Sequence, residues 1–505
     1  MDARQLVASW LDGRAKPGPD LTLAVAPRRA SGLAGKLRRA YAWITESAVV
    51  CPYHDIDFGE PVVVGRGEAR VELFRASYAS FALIPLLNLA TSQRLLFVGA
   101  PGRGKTTMAT LMARIAGTPL DEVRRLVQHG HPQLTISDLL GSPLPSELIR
   151  AEHGDGIRVA WRKWIGVRVK IIDEYNRIPT KTQSALLSLM AEGYAETFEQ
   201  VIDAGKSAWF LTANDDLGGG TFPVVEALKD RIDVVVRCAP FNSRHVHHLA
   251  ARVADGRSPE AMIPDDVVFS SEELDQVERE IRAVDVPAEV LDVLGFFAGQ
   301  LDFCRRASDT LELRNKDTLH LAGRKVAHVC TEDCPLDKQV HLCAQTENGV
   351  SARALSSILL FAKALAYFRD RPAVSVEDVH RVLPFALHDK IRHNPQSAFF
   401  QKTENQVLLV DRVTWIRRLF ERAVAQHAAY REVRAPVRKL AAELAAGTSG
   451  LPAADLKKRL AEVQRRLDEM LKKNELGGAL YDDLIVLKDL HARYQAELAG
   501  ERVPS

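Results

Sequence analysis

Six cysteines in 505 residues are too few for a disulfide framework, so a reducing cytosol is the expected compartment. Aromatic residues are only 7 %, leaving few platforms on which bases could stack. Neither sign of charge dominates: 67 Lys and Arg face 65 Asp and Glu, for a formal charge of +2. A dedicated nucleic-acid binder is usually far more basic, and a disordered chain is poorer than 46 % in hydrophobic residues. Long apolar runs are also missing. Ser80–Ala90 is short, and Ser356–Phe368 is broken by Lys363, so neither could span a bilayer as a helix. The N-terminal stretch MDARQLVASWLDGRAKPGPD carries acidic residues and does not read as a secretory signal. No internal repeat of the solenoid kind stands out.

What is present is length and alternating pattern. A chain this long divides into two to four domains. Up to about residue 75 the pattern is uneven, with a Pro/Gly break at Lys16–Asp20 and a strand candidate at Pro61–Val64. From Ser92 it becomes regular. Arg94–Val98, Val167–Ile172, Ser207–Thr212 and Val234–Cys238 read as short buried strands with helical patterns between them, which predicts an α/β domain with a parallel sheet. Beyond Arg244 the strand signals stop. Glu272–Arg305, Ser351–Arg369 and the stretch opening at Ser375 read as helices of a smaller α-helical domain. Near the C-terminus Leu456, Leu460, Val463, Leu467 and Met470 alternate spacings of four and three, a coiled-coil seam, and Leu480–Leu498 follows as its antiparallel partner.

Two motifs carry chemistry. Gly99-Ala100-Pro101-Gly102-Arg103-Gly104-Lys105-Thr106, with Thr107 behind it, satisfies G-x-x-x-x-G-K-[ST] between a strand and a helix. Glycines let successive amides face phosphates, Lys105 supplies a mobile charge, and the Thr106 hydroxyl suits a Mg²⁺ ligand. The second motif is the strand Val169–Ile172 ending in Asp173-Glu174. Asp173 is the expected second Mg²⁺ residue, and Glu174 is placed to polarise an attacking water. Lys170 is out of character in a buried strand, tolerable only at a sheet edge or by snorkelling.

Around these motifs, Ile171–Gly193 (IIDEYNRIPTKTQSALLSLMAEG), Thr212–Asp233 (TANDDLGGGTFPVVEALKDRID) and Gly349–Leu355 (GVSARAL) resemble, in order and spacing, the MoxR branch of the AAA+ ATPases, in the helix-2-insert clade. The resemblance covers roughly residues 75–395. It implies an AAA+ α/β domain with an α-helical lid, and it matches Asn214 to sensor 1, Arg231 to an arginine finger and Arg353 to sensor 2. Leu134–Gly156 falls where this branch inserts a loop into its second helix, and Met190–Trp209 where it has a hairpin before sensor 1. The resemblance also implies a ring, usually a hexamer, acting on a client protein, often with a von Willebrand factor A-type partner.

The domain reading is therefore 1–75, an N-terminal segment without assigned role; 76–243, the nucleotide-binding domain; 244–395, the helical lid; and 396–505, a helical coiled-coil-like end. The expected function is Mg-dependent ATP hydrolysis that remodels, matures or dismantles a protein complex. The alternative is a nucleotide-gated scaffold of low turnover that recruits partners through its C-terminal helices. Nucleic acid is disfavoured as a partner by the charge balance. Cys304, Cys330, Cys334 and Cys343 form a further candidate, a structural Zn²⁺ site set against the alternative of buried thiols. The His-rich stretch at Arg244–Leu249 reads as a helix start on a solvated face.

Overall fold

A computed structural model describes residues 32–48, 53–67, 70–144, 158–197, 200–214, 226–256, 258–330, 334, 336, 338, 341–445, 452–472 and 478–499. The chain forms two compact units. The first takes the described residues up to Asp285 together with Leu360–Ala373; the second takes Val286–Leu359 and the chain from Val374 onward.

The first unit is built on five parallel strands: β1 (Arg94–Val98), β2 (Gln128–His129), β3 (Val169–Asp173), β4 (Ala208–Ala213) and β5 (Val234–Arg237), in spatial order β5-β1-β4-β3-β2. Apolar runs fit this arrangement because a parallel sheet is covered on both faces. All six residues of β4 are buried, and its Phe210 and Leu211 lie beside Leu95 and Leu96 of β1. Helix α1 (Ser80–Thr91) is buried along almost its whole length, and α2 (Lys105–Ile115) begins directly after the turn that follows β1. Helix α3 (Thr180–Glu192) leads into an antiparallel hairpin, Tyr194–Thr197 with Gln200–Asp203. A second hairpin pairs Gly141–Pro143 with Val159–Trp161; the rest of the expected inserted loop, 145–157, lies outside the described residues.

Lys170 corrects the sequence expectation. Its residue is wholly buried in β3, paired through the register with Trp209 of β4, so it is neither at a free edge nor in contact with water. The ammonium instead donates to the carbonyls of Val167 and Ala204, each at 3.0 Å, and lies 5.5 Å from the Trp209 ring centroid. Burial pulls its pKa down to about 8, with Asp203 opposing.

The single helical stretch expected at Glu272–Arg305 is two helices. Ser271–Ala283 opens with a Ser270/Glu273 capping box, and α4 (Ala288–Asp302) starts after Pro287. The first helix ends where Val284 turns extended (ψ 129°), and Pro287 keeps Val286 before it out of the α region. Ser271–Ala283 belongs to the first unit. The same unit is completed by a distant piece of chain: Phe368 sets its ring edge-on to Tyr41 and Tyr78, Arg369 covers Phe58, and Asp285 bridges to Ala373.

The second unit is helical. Besides α4 it contains the first half of α5 (Ala352–Phe368), α6 (Val376–Leu387), α7 (Arg412–Ala445), α8 (Ala453–Lys472) and α9 (Gly478–Ala499). The expected seam is there: Leu456, Val463 and Met470 are buried where α8 packs on α9. The hairpin is not a free-standing pair, however, because α9 also packs on α7 and α4. A buried ion pair, Arg434 Nε to Asp483 Oδ2 at 2.7 Å, joins α7 to α9. None of the helices among the described residues is long and apolar enough to cross a membrane.

Candidate functional site

The turn after β1 curls because glycine allows it. Gly104 sits at φ 74° with open space around its Cβ position, so backbone conformation rather than crowding demands glycine. From here α2 begins, and its first residue, Lys105, is almost wholly buried. The Lys105 ammonium donates to the carbonyls of Gly99 and Ala100 at 2.5 and 3.0 Å and to Asn214 Oδ1 at 2.8 Å.

The acidic pair leaves β3 in two different ways. Asp173 ends the strand, and its Oδ1 accepts from Thr106 Oγ1 at 2.8 Å and from Thr212 Oγ1 at 2.6 Å. Glu174 is turned out of the strand direction by a left-handed backbone, φ 50°, which is costly for a side-chain-bearing residue and needs external support. Two contacts supply it. The Glu174 amide donates to Thr212 Oγ1 at 2.9 Å, and Gly130, whose amide bonds the Asp173 carbonyl, leaves room for the Glu174 carbonyl; a Cβ at Gly130 would sit 2.3 Å from it. The side chain then receives Asn214 Nδ2 at 3.1 Å and Arg177 at 3.2 Å.

Lys105, Thr106, Asp173, Glu174 and Asn214 therefore line one polar cavity of about 270 Å³ with Pro101, Gly102, Arg103, Gly104, Thr107 and Thr212. Adjoining residues of the same loop, Gly102–Gly104 and Thr107, also line a more apolar cavity of about 340 Å³ formed with Tyr53, Phe81, Met108, Leu111 and Leu249. A polar chamber at a helix start beside an apolar one suits a triphosphate joined to a nucleobase. The hydroxyl of Thr106 and the carboxylate of Asp173 stand together as hard oxygen donors of the kind Mg²⁺ takes.

Several participants were not legible in the motifs. Thr212 bonds both acidic residues, Arg177 pairs with Glu174, and His129 Nδ1 lies 3.5 Å from Asp173 Oδ2. Each reaches the site through sheet register or a turn, and no local spacing announces them. The apolar chamber likewise draws Tyr53, Phe81 and Leu249 from three distant segments.

Two arginines stand elsewhere. Arg231 closes the helix Glu226–Arg231, two residues before Asp233, whose carboxylate holds the Arg94 amide and guanidinium at the start of β1. Because β5 and β1 are parallel, Arg231 sits at the end of the sheet opposite the phosphate loop, about 16 Å away along five residues of strand. Arg353 is exposed in the first turn of α5, in the second unit.

The cysteines of the second unit are free thiols, each half-buried. Cys334 and Cys343 pack on one apolar cluster and Cys304 and Cys330 on another, and burial pushes the Cys304, Cys330 and Cys343 thiols up. Among the described residues, the metal-capable group with ligand atoms all within 4.8 Å of one another is not the cysteines but His245, His247 and His248. These imidazoles begin the helix Val246–Asp255, none of whose residues is buried.

Comparison with known proteins gives two segments. Residues 94–234 match the family described as ATPase family associated with various cellular activities (AAA), and residues 339–409 match the AAA lid domain. The uncharacterized Bacillus subtilis protein YeaC is 22 % identical over 347 residues, covering 67 % of this chain and 89 % of that one. A solved structure from Cytophaga hutchinsonii, described as a candidate ATPase, is 18 % identical with a TM-score of 0.46, over 76 % of this chain and 94 % of that one.

Proposed function

We propose that this chain, an AAA+ ATPase by its matched domain and lid, hydrolyses Mg-ATP within a ring oligomer and uses the cycle to remodel, mature or dismantle a client protein complex. The observation that carries the hydrolytic reading is the position of Glu174. Glu174 lines the phosphate chamber, its carboxylate steadied at 3.1 Å by Asn214, which in turn accepts from Lys105. In this reading Gly99–Thr107 cradle the phosphates through their amides and Lys105 neutralises the β- and γ-oxygens. Thr106 and Asp173 would hold Mg²⁺, which would offset phosphate charge. Glu174 accepts a proton from the attacking water, and Asn214 keeps that water and the carboxylate in register.

The ring rests on the length of the sheet. An arginine some 16 Å from its own phosphate loop cannot stabilise charge there, yet at a subunit edge it can reach a neighbour's ATP. Arg231 is that residue in this reading, and Arg353 the one offered from the lid. The MoxR branch, a hexameric count and a von Willebrand factor A-type partner follow from the sequence resemblance alone, and a cytoplasmic setting from the cysteine usage. The division at 76–243 and 244–395 rests on where the strand pattern stops, and structural Zn²⁺ at the four cysteines is a separate expectation that the family pattern does not include.

Glu174→Gln keeps the shape of the side chain and an acceptor for one of its two donors, Asn214 or Arg177, but removes the base. It should bind ATP normally and lose turnover by ~10²-fold or more, whereas Lys105→Ala should weaken binding itself. A phosphate-release assay with a parallel nucleotide-binding titration separates the two. Wild-type turnover in Glu174→Gln would remove the base assignment.

A further inference from the structure

We propose that His245, His247 and His248 bind one divalent transition-metal ion of the zinc and copper class, the three imidazoles serving as ligands and water completing the shell. The site lies wholly inside the first unit, and metal binding there is independent of the ATP reaction.

The rings are set together by the way this helix begins. Ser243–His245 is a single tight turn, held by the His245 amide on the Asn242 carbonyl at 3.0 Å, and it runs directly into the helix Val246–Asp255. His245 stands just before the first helical residue, so His248, three positions on, falls on the same side, with His247 beside it. Ring centroids are 4.4 Å apart for His247 and His248, 5.6 Å for His245 and His248, and 6.2 Å for His245 and His247. One ligand nitrogen from each ring lies within 4.8 Å of the other two. Around a tetrahedral Zn²⁺ with Zn–N bonds of about 2.0 Å, ligand nitrogens stand roughly 3.3 Å apart. His247 and His248 are exposed and His245 half-buried, so side-chain rotation can supply the difference.

Two observations separate this trio from histidines that only face water. The first is His245 Nδ1, which is shut off from solvent and has no hydrogen-bond partner. A polar nitrogen in that position is unfavourable until something takes it, and a metal ion ligated there does so. The second is the donor set. Three imidazoles without a carboxylate or a sulfur suit Zn²⁺, Cu²⁺ or Ni²⁺, whereas Mg²⁺ takes oxygen ligands. The ion of the phosphate chamber therefore does not compete for this site. The helix also gives the site a consequence. Further along it, Leu249 and Arg252 line the apolar chamber, and the Arg252 guanidinium donates to the carbonyls of Ser47 and Ala48. A metal fixed on the first turn braces a wall of that chamber. This consequence rests on the chamber taking the nucleobase; the metal site does not.

Tag-free full-length protein, stripped of metal, should bind Zn²⁺ at the trio in a calorimetric titration. His245→Ala and His248→Ala should each weaken that binding at least about 10-fold, since loss of a supporting group alone costs that much. The triple variant His245→Ala, His247→Ala, His248→Ala should lose it. Loading the unaltered chain with Cu²⁺ identifies the ligands independently of any variant: its electron paramagnetic resonance spectrum should show coupling to imidazole nitrogens, which thiolates cannot give. With a Mg-ATP analogue in excess Mg²⁺, Zn²⁺ should tighten nucleotide binding about 5-fold or more in the wild type and leave the triple variant unchanged. Equal zinc affinity in the wild type and the triple variant, an adventitious ion only, overturns the site, and so does a Cu²⁺ spectrum without nitrogen coupling. Zinc held by the trio with nucleotide affinity unmoved overturns the bracing of the chamber. Zinc held by the trio with no nucleotide bound by either protein keeps the site and overturns the nucleobase reading instead.

Discussion

Thr212 is the residue on which the two carboxylates converge: its hydroxyl donates to Asp173 at 2.6 Å and accepts from the Glu174 amide at 2.9 Å. Thr212→Val preserves shape and removes both bonds. The Glu174 amide then loses its partner next to a left-handed backbone, so the carboxylate should wander. We expect ATP affinity within a few-fold of wild type and turnover lower by about 10- to 100-fold, measured by steady-state phosphate release. Unchanged turnover would mean that Asn214 and Arg177 suffice to fix Glu174. At this scale the sequence was readable where chemistry is contiguous. Gly99–Thr106 and Asp173-Glu174 could be named from spacing because each motif is one turn or strand end. Thr212 and His129 could not, since what brings them in is the register of β4 and β2 against β3, and Arg177 could not because a left-handed turn at Glu174 folds it back. Lys170 failed in the other direction: a charge in a central strand looked like an edge signal, but two carbonyls that no strand engages were waiting for it.

Elements were legible in proportion to their periodicity. The four strands of the motif region and the α8 seam came through because alternation and burial agree, whereas β2, two residues long, has no pattern to read. What the seam could not reveal is where its partner goes. Helix α9 serves α8, α7 and α4 at once, and the buried Arg434–Asp483 pair, with both side chains under 5 % exposed, is the polar seam on its other face. Removing one member of such a pair strands the other without water. Asp483→Ala should cost about 3–5 kcal/mol, while the double change Asp483→Leu, Arg434→Met should recover most of it. Thermal unfolding followed by circular dichroism tests this. A single variant that melts within a degree of wild type would show that α9 is held by apolar contacts alone.

At the scale of the molecule, the proposed ring is what gives Arg231, at the far end of the sheet, a role. Arg231→Ala should bind ATP almost normally and lose turnover, by as much as ~10³-fold where such a guanidinium acts in trans. Alone, Arg231→Ala and Glu174→Gln should both be inactive. Mixed, they can form interfaces with an intact Glu174 on one side and an intact Arg231 on the other, so activity should return in proportion to those interfaces. No recovery after demonstrated subunit exchange, or a fully active Arg231→Ala running as a monomer in sedimentation, removes the trans mechanism.

The order in which the chain is made gives the broken-up first unit a cost in time. The apolar strand β1 meets the side chain that pins its start, Asp233, 139 residues later. At roughly 5–20 residues per second, that strand waits on the order of 10 seconds or more before its neighbour exists. Phe368 and Arg369, which cover Tyr41, Tyr78 and Phe58, come later still, after the whole insertion 286–359 has been threaded through. During synthesis the second unit's first segment therefore has to be translated while its host is unfinished. A nascent chain halted shortly before residue 360 should be protease-sensitive around β1, and one halted after 373 protected, which makes arrest position a direct clock for when the nucleotide-binding half becomes a folded object.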